Sequence, residues 1–447
     1  MTGAAFDTAV IGGGVAGLSA ATALAEAGQR VIVLEARGQL GGRATSFIDR
    51  VTGERVDNGQ HVLFGCYREM FRFLARISAT SNVRIQTSLR IPYLDLEGHR
   101  TVLACPPLPS PLHLLAAVLD WDALEWRDRL QVLRVGRALL RARKQRIDTG
   151  ETETVAEWLT RYGQRGRLRE WLWEPLAVAA LNQPPSEAAA APFLRVLAEM
   201  FGPDPTDASL GLPVKPLDEV YAVPAKQYIE ARDGEVRTHA LTRVHLNRDR
   251  VARIEVRGEQ IQANTVIAAV PWFSLQSLVG GNTSGVTGLL RDAARMESRP
   301  IVTVNLWYDR QVMDDVFLGL PGRAMQWVFD KRQTFGERAS HLSLVSSGAR
   351  DLMALDHEAL VAIAAREVAE SIPGARDAVL RRGTVIREKH ATFSLAPNQP
   401  SRPPVRTAVR GLFLAGDWID TGLPGTIESA AVAGHRAATE SLAERTQ

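Results

Sequence analysis

The chain is short of several things. It has two cysteines, Cys66 and Cys105, in 447 residues, too few for a disulfide framework or a structural zinc site. Both are expected to be buried free thiols in a reducing compartment. Lysine is scarce, with five among 53 basic residues, and the net charge is only +3. No block of like charges offers a nucleic-acid tail, so nucleic acid is not an expected partner. No apolar run reaches the roughly 18 residues of a membrane span. Only MTGAA precedes a strand-like run at Phe6, which leaves no room for a signal peptide. The expectation is a cytoplasmic, soluble chain, with contact at the inner face of the membrane left open. Nine scattered histidines give no HxxxH spacing; no Ser-His-Asp arrangement, internal repeat or second G-x-G-x-x-G stands out. A metal site is not expected, nor a dedicated NAD(P)H domain. Any redox chemistry must then be carried by a bound cofactor.

What is present begins at the N-terminus. Ala9, Val10 and Ile11 form a short buried-strand pattern, followed by Gly12, Gly14 and Gly17 with G-x-G-x-x-G spacing. An alanine-rich helical run extends to Ala27, Gly28 closes it, and VIVLE makes a second strand ending at Glu35. This is a βαβ unit whose glycines bring backbone, including the Val15 and Ala16 amides, close to a pyrophosphate at a helix N-terminus. Glu35, with Ala36 beside it, stands where an acid accepts hydrogen bonds from an adenosine ribose and disfavours a 2′-phosphate. The unit alone leaves NAD and FAD undistinguished.

Two further segments resemble flavoproteins of the amine oxidase and phytoene desaturase group. One is Gly41-Gly42-Arg43, soon after the acid; there the glycines would admit backbone amides and Arg43 would pair with cofactor phosphates. The other is LAGDWIDTGLPGTIESA, a strand, Gly416-Asp417, a loop and a helix. The resemblance implies FAD, with Asp417 on the ribityl-phosphate region and the Thr426 and Ile427 amides at the pyrimidine edge of the flavin. A helix N-terminus favours the negative charge that reduced flavin carries there. A strand from Val236 to Val244 would pack against the adenine.

The expected fold is α/β: a Rossmann-type FAD-binding domain from 1–57, 213–272 and 405–447, with an interleaved α+β substrate domain from 58–212 and 273–404. At 447 residues a two-domain chain is the natural reading. Residues 105–146 combine a proline-bounded apolar segment with a helix rich in arginine, among them Arg127, Arg129, Arg134, Arg137, Arg141, Arg143 and Lys144. That pairing suits a helix resting on lipid, or an ordinary surface helix.

Several stretches together resemble the hydroxysqualene dehydroxylases of bacterial hopanoid synthesis. They are DNGQHVLFGCY, WLWEPLAVAALNQP, GLPVKPLDEVYAVPAKQYIEARDGEV, PIVTVNLWYDR, MQWVFDK and LAGDWIDTGLPGTIESA. The resemblance implies a long isoprenoid substrate whose allylic hydroxyl is removed by hydride from reduced FAD; it names no reductant. In this frame Asp57 and Asn58 anchor the backbone while Gln60 and His61 face the flavin. His61 is the first candidate proton donor, because an imidazolium titrates near neutrality; Tyr67 and Asp57 are weaker ones. Asn58, Asn182, Gln326, Trp327 and Trp418 would line the substrate, the tryptophans suiting a cationic intermediate. Two alternatives stay open: a desaturase of a carotenoid precursor or other isoprenoid, and a prenyl-group carrier without redox chemistry. An amine oxidase fits less well.

Overall fold

The structure, a computed structural model, describes residues 6–142, 152–336 and 340–445, without the side chains of 137–142. One layer is a five-stranded parallel sheet of β1 (Phe6–Ile11), β2 (Val31–Leu34), β3 (Glu235–Arg237), β4 (Ala263–Ala268) and β5 (Leu412–Leu414), in the order β3-β2-β1-β4-β5. Its inner strands carry continuous apolar stretches, Ala9–Ile11, Val31–Leu34 and Val266–Ala268, because both faces are covered there. Helix α1 (Val15–Glu26) follows β1, and Gly28, at φ +77°, ends it in the left-handed conformation that glycine takes most easily.

Helix α2 (Ile427–Arg445) packs along α1. Small residues allow a close approach: a Cβ on Gly434 would stand 2.2 Å from the Ala16 carbonyl oxygen, and Ser19 Oγ donates to Ala431 O at 3.1 Å. That packing explains why an alanine-rich helix is buried on almost every side. The helix Arg68–Arg76 joins the same core through Met70, Phe73 and Leu74, so the packing around the parallel sheet extends beyond residue 57.

The second layer is a seven-stranded sheet in the order Leu380–Phe393, Ser298–Tyr308, Ser340–Ser347, Trp327–Asp330, Phe317–Gly319, Arg90–Leu94 and Arg100–Ala104. Alternation gives its strands two apolar faces. Val302, Val304, Leu306, Val328 and Leu344 face the helix His357–Ser371, while Tyr93, Phe317, Trp327, Phe329 and Val345 face a helical layer on the other side. That helical layer comprises Leu112–Asp120, Trp126–Ala142, Val155–Arg161, Glu174–Leu181 and Ala190–Met200. Among the described residues no helix is long and apolar enough to cross a membrane.

Candidate active site

A cavity of about 1150 Å³ runs from the carboxyl ends of the parallel strands to the helical layer. At one end its wall is backbone. Gly12 has φ +111°, and a Cβ there would stand 2.3 Å from the Ala269 carbonyl oxygen; a Cβ on Gly17 would meet the Gly12 carbonyl oxygen at 1.9 Å. Gly17 does not line the cavity; its absent side chain lets α1 dock on β1 and β4. A Cβ on Gly14 would find only the Gly42 Cα, at 3.8 Å, so two glycine loops lie back to back across the cradle. Glu35 is buried beside them, accepting from Gly13 N–H at 2.7 Å and Arg37 N–H at 2.8 Å. Gly42, Val15, Ala16, Ala36, Gly416, Asp417, Thr426 and Ile427 complete this end, with the N-terminus of α2 at its edge. A cradle that side chains would fill, a ribose-height acid and a helix N-terminus fit a dinucleotide.

Several expected contacts are placed differently. Arg43 does not stand free for phosphates: its Nη atoms donate to Ala391 O at 2.7 Å and Asp417 Oδ1 at 2.6 Å, so it braces Asp417. Val244 is fully buried in the core and does not reach the cavity; Thr242 and Arg243 do. Trp418 is fully buried at the cofactor end, under Gly416, and donates to Val270 O at 2.9 Å. It lines the cavity there, on the cofactor side and away from the apolar arm.

The segment of Asn58, Gln60 and His61 lies where the cradle meets the rest of the cavity. Asp57 is not on the wall. Its carboxylate accepts from Lys331 Nζ at 2.8 Å, Ser46 Oγ at 2.5 Å and Leu217 N–H at 3.1 Å, and both members of the ion pair are 2% exposed. Asp57 is thus an anchor rather than an acid. Lys331 also donates to Gln60 Oε1 at 3.1 Å, and Gln60 Nε2 donates to Ser343 Oγ at 3.0 Å. Asn58 Nδ2 donates to Arg43 O at 3.0 Å and to Glu388 Oε2 at 3.2 Å. Burial, with Arg43 and Lys331 nearby and against the pull of Asp57, pushes the His61 imidazole down to about 4. The imidazolium expected to give a proton near neutrality is therefore absent there. Burial also pushes the Tyr67 phenol well above its ordinary range, which makes it a poorer acid still.

The far arm is apolar, walled by Leu89, Tyr93, Leu114, Val118, Leu172, Leu176, Phe317, Trp327 and Phe329. Trp327 lines it as expected. Gln326 does not: its amide pairs with the Ser347 backbone at 3.0 and 3.1 Å. Asn182 touches the cavity, but its amide is fully engaged by Arg299 O, Thr392 Oγ1 and Gly348 N–H.

Sequence reasoning missed Lys331, Tyr221 and Glu428. The Tyr221 hydroxyl lies 2.7 Å from Gly41 O and 2.8 Å from Ala44 O, holding the Gly-Gly-Arg loop from outside the cradle. Glu428 lines the cavity and accepts the Glu69 and Met70 N–H groups at the start of helix Arg68–Arg76; burial pushes it up to about 7. Lys331 carried a signal, as one of five lysines in an arginine-rich chain, placed directly after an apolar strand.

The model of the flavin-containing amine oxidoreductases matches residues 15–442. The chain belongs to that family. It is an oxidoreductase, and its cofactor is FAD, which the cradle fits. The chain is 30% identical to the hydroxysqualene dehydroxylase of Sinorhizobium fredii, over 97% of this chain and 98% of that protein. It is 25% identical to the 15-cis-phytoene desaturase of Synechococcus elongatus, over 98% and 96%. The structure of an oxidoreductase from Methanosarcina mazei shares the fold, with a TM-score of 0.75 at 17% identity over 97% of this flavoprotein and all of that chain.

Proposed function

We propose that this flavoprotein removes the hydroxyl of hydroxysqualene reductively to give squalene. The observation that carries the reading is the lining of the cavity: an arm walled by aliphatic and aromatic side chains is continuous with the FAD cradle, with Gln60 and His61 at the junction. The likeness to hydroxysqualene dehydroxylases along nearly the whole chain supports it. In the reaction the carbon–oxygen bond breaks, a hydride makes the new carbon–hydrogen bond, and the hydroxyl takes up one proton and leaves as water. Bound FADH2 would supply the hydride and, overall, the proton, leaving oxidised FAD. The protein's part is placement and exclusion. Lys331 and Ser343 fix the Gln60 amide, and the apolar arm keeps water from a developing allylic cation. Trp327 and Phe329 offer the aromatic faces that suit such a charge.

Anaerobic incubation of the enzyme with FAD, a chemical reductant and hydroxysqualene is expected to yield squalene. The opposite result, flavin reduction when an isoprenoid hydrocarbon is added to oxidised enzyme, would make the protein a desaturase.

We also propose that the substrate arrives from a bilayer, where the enzyme rests on the inner leaflet. Trp126 is 65% exposed, with Arg127 over its ring, and Leu108, Leu112 and Leu130 are exposed near it in sequence. Leu112 also lines the cavity, so one exposed leucine of this segment borders the apolar arm. Among the described side chains Asp128 offsets part of the arginine charge; Arg137, Arg141, Arg143 and Lys144 lie outside them. With substrate in phosphatidylcholine vesicles, Trp126→Ser/Leu130→Ser is expected to lose several-fold in rate while its rate with detergent-dispersed substrate is kept. Equal rates in vesicles would remove the bilayer from the reading.

A further inference from the structure

Polar groups along the junction are almost all engaged by protein. Gln60 holds Lys331 and Ser343, and Asn58 holds the Arg43 carbonyl and Glu388. His61 differs. It lines the cavity, and no hydrogen bond holds either ring nitrogen among the described residues; Nε2 is buried in the wall, which leaves Nδ1 as the open one. A substrate that covers Nδ1 without bonding to it leaves a polar atom buried and unpaired, and only a hydrogen-bonding group avoids that cost. The ring's setting also keeps it neutral: burial and the nearby Arg43 and Lys331 outweigh Asp57. A neutral imidazole has one nitrogen that donates and one that accepts, and a hydroxyl can answer either.

We infer that His61 is the hydroxyl-binding group of the substrate site: its Nδ1 hydrogen-bonds the hydroxyl of an isoprenoid allylic alcohol and makes the site prefer that alcohol to the hydrocarbon of the same skeleton. The inference rests on the dehydroxylase reading and deepens it. A site built to hydrogen-bond a hydroxyl disfavours the analogue lacking it, because its own buried polar atom is then left unpaired. The same contact would tell substrate from product, since squalene has no oxygen to offer. The anchored pair Asp57–Lys331 sits directly behind, so the backbone carrying His61 is fixed before substrate arrives.

Binding to the oxidised holoenzyme tests this without turnover. Hydroxysqualene and squalene are titrated in detergent micelles, with the flavin absorbance as readout. Wild type is expected to bind the alcohol about tenfold or more tightly than squalene, the ratio that a single unsatisfied buried group implies. His61→Phe should lose that preference, binding the alcohol more weakly and squalene no less tightly, with FAD content unchanged. His61→Gln, which restores a donor and an acceptor, should recover part of it. Undiminished preference in His61→Phe overturns the inference. So does a His61→Phe protein in which FAD affinity falls while the preference survives, since His61 would then serve the flavin. If His61→Phe does not fold, His61→Leu takes its place, and a preference equal to wild type counts against the role. A wild type that binds neither compound fails the dehydroxylase reading itself, whereas one that binds both equally fails only the role of His61.

Discussion

The two ends of the cavity are built by different means. The cofactor end is shaped by backbone: Gly12, Gly14, Gly17 and Gly42 stand where side chains would collide or fill the cradle, and the buried acid Glu35 is itself held by main-chain N–H groups. The substrate end is shaped by side chains, drawn from strands and helices far apart in the chain. A backbone-shaped site tolerates little variation and leaves a local motif. A site shaped by side chains needs only apolar volume, which many sequences supply. The junction borrows from both. Asp57 ends a short hairpin strand near the cradle, whereas Lys331 follows a strand of the seven-stranded sheet, and their ion pair fastens one end to the other.

That pair gives the largest effect by which the contrast can be broken. Lys331→Met leaves the Asp57 carboxylate buried without its partner, and removing one member of a buried pair costs about 3–5 kcal/mol. Denaturant unfolding of Lys331→Met should show such a loss. The double variant Asp57→Asn/Lys331→Met should recover most of it, because neither buried charge remains and the introduced amide keeps an oxygen for the Ser46 and Leu217 donors. A Lys331→Met protein within about 1 kcal/mol of wild type would mean that the two ends are held together by apolar packing alone.

The contrast also explains what could be read from the chain and what could not. The cradle was legible because G-x-G-x-x-G, a terminal acid and a Gly-Asp turn before a helix are local patterns, each with its own steric reason. The junction was legible as a segment but not residue by residue. DNGQH places Asn58, Gln60 and His61 on the wall and Asp57 behind it, and that division depends on Lys331, 274 residues away. Alternation would have corrected one assignment without a structure. Trp327 and Phe329 face the cavity and Val328 the opposite core, so Gln326, one residue before Trp327, should face away. Val244 fails for a related reason: a strand pattern gives which residues share a face, but not which face meets the ligand. His61 was identified as a cavity residue, yet its protonation follows from burial and from two cations supplied by distant segments. No periodicity in the sequence carries that information.

A smaller effect sharpens the comparison at the cofactor end, where one side chain supports the backbone design. Tyr221 is buried in a π-helical turn, Asp218–Ala222, and its hydroxyl lies against the carbonyls of Gly41 and Ala44. It touches the loop from behind and does not line the cavity. With one proton it can satisfy one carbonyl fully or share it between the two. Tyr221→Phe keeps the ring in the core and removes only that donor, so the fold should survive with a loss of about 1 kcal/mol. If the hydrogen bond sets the loop for the cofactor, that loss appears in binding: the Kd for FAD should rise about fivefold, measured by recovery of flavin fluorescence on dilution, with unfolding of the apoprotein nearly unchanged. If the loop is instead set by its own glycines, the loss appears in apoprotein stability and the FAD Kd does not move. The second outcome would make the cofactor end a backbone structure throughout, and the first would show that it too leans on a side chain from outside its motifs.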